Sequence, residues 1–190
     1  MTTTITAAQG SNAGRMDRSF GGRQPGTMTV LSRDLDIALP ADVVWETLID
    51  VGSWPQWMAH VADARWLEGE TPGPGARLQF TMQHLQSAPT VQAEITSFRP
   101  GKELAYSPVA GDTPFTEGMK NLEWEWRIWG RPTGNCTLSF TLTYTAAGGA
   151  AFFRELLGTR LQVLNLADSS LKALQAMAEG RVPSSEPAEA

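Results

Sequence analysis

Apolar and polar positions alternate in short runs between residues 29 and 144, and after residue 150 the alternation gives way to helical spacing. In the first run, Thr29 to Leu39, the apolar Leu35, Ile37 and Leu39 alternate with Asp34, Asp36 and Ala38. A period of two is that of a strand buried on one side. Pro40 ends the run. Ala41 to Val51 then places Val44, Leu48 and Val51 on one face, which predicts a short helix entered through Pro40 and broken by Gly52. Ser53 is placed to cap a second short helix carrying Trp54 and Trp57, with Pro55 tolerated in its first turn.

Six further strands are predicted, separated by turn-forming residues. They cover Val61 to Glu68, Ala76 to His84, Thr90 to Phe98, Glu103 to Ser107, Asn121 to Trp129 and Cys136 to Tyr144. The clearest alternations set Leu78, Phe80 and Met82 on one face, then Leu122, Trp124, Trp126 and Ile128, then Leu138, Phe140, Leu142 and Tyr144. Residues 108–120 read as a long connection holding Phe115 between Gly111 and Gly118. Ala150 to Glu179 contains no proline, and Phe153, Leu157, Leu164, Leu171 and Leu174 fall on one helical stripe, with Gly180 at the position of a C-terminal cap. Consecutive strands joined by tight turns make an antiparallel sheet. Its apolar face needs a cover, and the terminal helix is the candidate. The fold class is therefore α+β: a seven-stranded curved antiparallel sheet around a long C-terminal helix, with two short helices after the first strand.

Ile37 to Trp45, then Leu48, Ile49 and Asp50, then Trp54-Pro55-Gln56-Trp57, together with Gly75 and the final amphipathic helix, carry a family resemblance. Over roughly residues 29–180 the chain resembles the START-like (SRPBCC, helix-grip) superfamily, in its polyketide cyclase/dehydrase branch. The resemblance implies a deep cavity between sheet and helix and an apolar ligand. The motif residues themselves are structural, and no catalytic residue is carried over with them.

Composition narrows the function. The net charge is -5, and charged residues make up 18% of the chain. A nucleic-acid partner is not expected, because nothing marks a basic face. One cysteine and two histidines give no metal-ligand spacing, and neither a metal nor a cofactor is expected. No run is long and apolar enough for stable membrane insertion. Residues 1–28 carry Arg15, Arg18 and Arg23 without an apolar core segment, so no secretory leader is read there and cytoplasmic placement is expected. Residues 1–28 and 181–190 are expected to be disordered tails flanking a single domain at 29–180. No signal for an oligomeric state is visible.

Candidate site residues follow from inward parity. His84 shares parity with Met82 and has a pKa suited to proton transfer, unless the strand ends first and leaves it in solvent. Tyr106 adds a hydroxyl. Asp168 lies on or beside the apolar stripe of the long helix, where a carboxylate needs a partner or a ligand. An ion pair is the simpler reading for it. His84, Tyr106 and Asp168 are the candidate catalytic groups. Phe80, Met82, Tyr106, Phe115, Trp124, Trp126, Phe140, Arg160 and Leu164 are the candidate ligand-binding residues, with Trp124 and Trp126 as a stacking wall and Phe115 as a lid. His60 is placed at the cavity rim or on the surface. Glu123, Glu125 and Arg127 have outward parity and read as a solvated face. Three functions remain open: a cyclase or dehydratase acting on a polyketide-like substrate, a carrier or sensor of an apolar ligand, and an interaction or stress protein with an incidental cavity.

Overall fold

The computed structural model describes residues 28–67, 71–83, 88–110, 119–146 and 160–181. Within them the chain forms β1 (Met28–Ile37), α1 (Ala41–Ile49), a single 3-10 turn (Val51–Ser53), α2 (Trp54–Trp57), β2 (Val61–Trp66), β3 (Arg77–Met82), β4 (Thr90–Arg99), β5 (Glu103–Ala110), β6 (Met119–Gly130), β7 (Cys136–Ala146) and α3 (Arg160–Arg181). The seven strands make one sheet in the order β1-β7-β6-β5-β4-β3-β2, each pair antiparallel. The expected order of elements and the helix-grip architecture are both present.

The alternation read from the sequence sets the faces. Leu78, Phe80 and Met82 are buried, as are Trp124, Trp126 and Ile128 on β6 and Leu138, Phe140 and Leu142 on β7. Register shifts interrupt the ladders within β2–β3, β4–β5 and β6–β7. Bulges of this kind bend strands and increase twist, which curves the sheet toward α3. One of them lies at Asn121, whose φ of 53° puts it in the left-handed region. Gly101, with φ 73°, closes the turn between β4 and β5 at the place where Arg99-Pro100-Gly101 predicts one.

Several ends differ from expectation for identifiable reasons. β5 runs past Ser107 to Ala110, although Pro108 has no N–H to give. The ladder shifts between Gln92 and Ala93, beside Pro108, so the strand continues on an interrupted pairing. The expected connection 108–120 is shortened accordingly, and residues 111–118 lie outside the described residues, Phe115 among them. Ser53 precedes α2 but does not cap it. Its hydroxyl donates to the Asp50 carbonyl at 2.7 Å, which closes the 3-10 turn. Gly180 lies inside the last turn of α3, and the Arg181 guanidinium bonds Asp50 at 2.7 Å, which holds the turn beyond the glycine. Of the long helix expected from Ala150, residues 150–159 lie outside the described residues, and 22 residues are described.

The two short helices are welded to the sheet by aromatic rings. Trp54 is fully buried. Its ring lies 5.4 Å from Tyr106, 6.3 Å from Trp57 and 6.4 Å from Phe80, and its indole N–H donates to the Leu48 carbonyl at 2.9 Å. Trp57 meets Trp126 edge-on at 5.5 Å. Trp45 packs separately on Phe98 at 5.5 Å. Replacement of Trp54 by alanine removes three ring contacts and leaves the Leu48 carbonyl without its donor. Chemical denaturation of Trp54→Ala is expected to show a loss of about 3–5 kcal/mol. A loss under about 1 kcal/mol would mean that Trp54 does not hold α2 to the sheet.

Candidate ligand cavity

α3 packs mainly on α1, α2, β1 and β7. Between the helix and the middle of the sheet lies a cavity of about 410 Å³. Its described lining comprises Met82 and Gln83 at the end of β3, Trp124 and Trp126 on β6, Phe140 and Leu142 on β7, and His60 just before β2. The α3 side is formed by Gln162, Val163, Asn165, Leu166, Ala167 and Ser170. The reason for the space is a mismatch of size. Val163, Ala167, Ser170 and Leu174 follow one another at helical spacing on the buried stripe of α3, so the helix presents an alanine and a serine opposite two tryptophans and a phenylalanine.

The aromatic side of the cavity is rigid because it belongs to the core network. Tyr106 and Trp124 are cross-strand partners on β5 and β6 and stack at 5.4 Å with their planes 23° apart. Trp126 and Phe140 are partners across β6 and β7, 4.7 Å between ring centres. Phe80 meets Trp124 edge-on at 5.9 Å. Directly opposed aromatic pairs such as the first two stabilise a sheet by roughly 0.2–1 kcal/mol each.

Of the residues singled out in the sequence, Met82, Trp124, Trp126 and Phe140 come together on the cavity wall. Phe80 and Tyr106 are not on the described lining and pack against Trp124. Burial pushes the Tyr106 hydroxyl pKa well above its usual value, and the nearby Trp126 indole N–H opposes that rise only in part. The two groups are not aligned into a hydrogen bond, since Trp126 Nε1 has no partner of acceptable geometry. Leu164 is buried beside the cavity rather than on its described lining. Arg160 reaches Thr29 at 3.3 Å. Asp168 faces β1, where Arg33 Nε lies 3.0 Å from its Oδ1. The approach is that of an ion pair without hydrogen-bond alignment, because the same Oδ1 is otherwise unpartnered. His84 and Phe115 lie outside the described residues.

On the outer face, Arg127 sits between Glu125 at 2.7 Å and Glu103 at 3.3 Å. The Ser97 hydroxyl donates to Glu103 at 2.5 Å, and this bond, with Arg127 and Arg99 nearby, holds the Glu103 carboxyl below its usual range. Glu125 shifts upward, chiefly through partial burial. Among the described residues no group of three or more His, Cys, Asp or Glu side chains is arranged to hold a metal ion.

His60 is the lining residue whose place the sequence left open. It sits between α2 and β2 on backbone that is bonded from two sides. The Ser170 hydroxyl oxygen accepts the Ala59 N–H at 3.0 Å, and the Gln83 side-chain amide donates to the Ala59 and Val61 carbonyls at 2.9 and 3.2 Å. The Gln83 backbone N–H donates to the His60 carbonyl at 2.9 Å. His60 is half-buried and lines the cavity, and its Nδ1 is buried with no partner among the described residues. Burial lowers its pKa from 6.5 to about 4. A signal for it existed in the sequence: His60 comes three residues after Trp57, so a helix packed on the sheet delivers it near the sheet's inner face. Ser170 and Gln83 gave no such signal, because their role is to bond backbone distant in sequence.

A family model described as polyketide cyclase / dehydrase and lipid transport matches residues 28–179. No curated protein matches the chain significantly. Among solved structures, the Zhui aromatase/cyclase of a Streptomyces species superposes with a TM-score of 0.65 at 19% identity, over 83% of this chain and 97% of that one. Major latex-like protein 151 of Panax ginseng superposes at 0.62 with 15% identity, over 80% and 97%. A START superfamily protein of Mycobacterium smegmatis does so at 0.59 with 15% identity, over 80% and 99%. Identities this low establish likeness of fold.

The depressed pKa of His60 makes a stability prediction. The folded state favours the neutral ring, so its contribution is fully present above pH 6.5 and is lost as pH falls from 6.5 toward about 4. The whole loss corresponds to roughly 3 kcal/mol. His60→Gln is expected to flatten the fall in unfolding free energy over that window relative to wild type. An identical pH profile for the two proteins would show that His60 is not desolvated.

Proposed function

The chain belongs to the polyketide cyclase/dehydrase and lipid transport family, and from that premise we propose that its cavity binds a hydrophobic, ring-containing small molecule of the polyketide-like kind. The observation that carries this reading is the 410 Å³ space walled by Trp124, Trp126 and Phe140 and roofed by Ala167. Its size lies in the range of small-molecule sites, and its lining is apolar with a few convergent polar groups. Flat rings would lie against fixed aromatic faces, which lose little freedom on binding.

Binding without chemistry is the version the geometry favours. Among the described lining residues there is no nucleophile with an adjacent base and no pair of carboxylates. Asp168 is committed to Arg33, and Tyr106 is not on the described lining. In a cyclase or dehydratase the cavity would fold a flexible chain so that reacting carbons meet, and proton transfer would fall to His84, with Tyr106 and Asp168 in supporting roles. A carrier or sensor needs only the cavity.

Titration with naphthalene is expected to quench or shift tryptophan fluorescence, and most of that change should vanish in the Trp124→Phe, Trp126→Phe double variant. Ala167→Phe places a ring in the cavity and is expected to weaken naphthalene binding at least tenfold while the protein stays folded, since the added volume enters existing space. Ala167→Leu, a smaller step, should give an intermediate loss. Unchanged affinity in both folded variants would show that ligand does not enter between helix and sheet.

A further inference from the structure

Building on the reading of this cavity as a ligand site, we propose that His60 is its polar recognition point, and that the cavity selects neutral ring compounds bearing a hydroxyl or carbonyl over carboxylates of the same shape. The first support is the contrast between the backbone around His60 and its ring. The backbone of residues 59–61 is tied to α3 through Ser170, to β3 through both the side chain and the main chain of Gln83, and to Met58, whose carbonyl accepts the Val61 N–H at 2.9 Å. The ring carried by that fixed segment lines the cavity, while its Nδ1 is buried with no partner among the described residues. A histidine that only fills space in a core has its nitrogens bonded, because leaving them dry and unpaired costs free energy. A ligand group that bonds the ring recovers that cost.

A second observation is independent of His60. The indole N–H of Trp126, another lining residue, is also buried without an aligned hydrogen bond, near the Tyr106 hydroxyl. The polar members of the described lining besides His60 are Gln83, Gln162, Asn165 and Ser170, and of these Ser170 and Gln83 are bonded to backbone at 59–61. The third concerns charge. The described lining contains no Lys, Arg, Asp or Glu. Arg33 is engaged by Asp168 and Arg160 bonds Thr29. Burial holds the His60 ring uncharged at neutral pH. A carboxylate entering this space would lose its hydration and meet no counter-charge among the described lining residues. A neutral imidazole offers one acceptor nitrogen and one N–H donor. It can take a hydrogen bond from a ligand hydroxyl or give one to a ligand carbonyl.

Three probes of one shape test this on the full chain near neutral pH by tryptophan fluorescence: naphthalene, 2-naphthol and 2-naphthoate. Wild type is expected to bind 2-naphthol at least about tenfold more tightly than 2-naphthoate, a comparison that needs no variant to fold. His60→Leu should weaken 2-naphthol about tenfold more than it weakens naphthalene, as for one lost hydrogen bond. His60→Gln, which restores a donor and an acceptor, should recover most of that difference. Equal wild-type affinity for 2-naphthol and 2-naphthoate would overturn the proposal. So would a His60→Leu variant that weakens naphthalene and 2-naphthol alike, since His60 would then only shape the cavity. Failure of naphthalene itself to bind wild type would overturn the cavity reading and this inference with it. Binding of naphthalene with no discrimination among the three would overturn the inference alone.

Discussion

The concave face of the sheet has one long helix to cover it, and where that helix passes the aromatic strands it carries Ala167 and Ser170 instead of large side chains. Every other property of the interior depends on this mismatch. Larger side chains at 167 and 170 would take up the space between helix and sheet and bring it toward the density of an ordinary core. With alanine and serine there, the wall of Trp124, Trp126 and Phe140 is left facing space.

An empty space beside large rings survives only if the rings cannot collapse into it. Here they are held by other rings. Tyr106 stacks on Trp124, Phe80 abuts both, and Trp54 abuts Tyr106 and Phe80 in turn. Trp57 pins the edge of Trp126. The short helices are thus part of the cavity wall's support, although they contribute no lining residue themselves. Rigid aromatic surfaces at fixed distance from a helix suit recognition of a flat, apolar molecule, because the protein orders little on binding.

Polar contacts then fix the height of the roof. Arg33–Asp168 joins the middle of α3 to β1, and Arg181–Asp50 joins its end to the segment after α1. Ser170 ties the same helix to Ala59. Partly exposed ion pairs contribute little each, but together these three tether the helix along its length. The carboxylate of Asp168 is drawn to β1, and the imidazole of His60, fixed beside Ser170 and Gln83, remains as a titratable side chain of the described lining.

The order of elements, the antiparallel pairing and the inward set of residues were legible in the chain because they follow from local periodicity. Alternation on β3, β6 and β7 chose the faces, Pro40, Gly101 and the Trp54-Pro55-Gln56-Trp57 turn placed the breaks, and four of the residues assigned to the ligand on parity alone line the cavity. What periodicity carries no information about is depth and partnership across the fold. Parity gave Tyr106 and Trp124 the same rank, yet Trp124 is on the described cavity lining and Tyr106, one strand over, is not. Asp168 lies at the border of the helical stripe, and only the packing of α3 on β1 turned it toward Arg33. His60 stands in no periodic run at all. Its environment is made by Ser170, 110 positions further along the chain, and by Gln83. A sequence fixes which side of its own element a side chain occupies; which distant residue meets it, and whether space is left between them, is decided when the helix settles on the sheet.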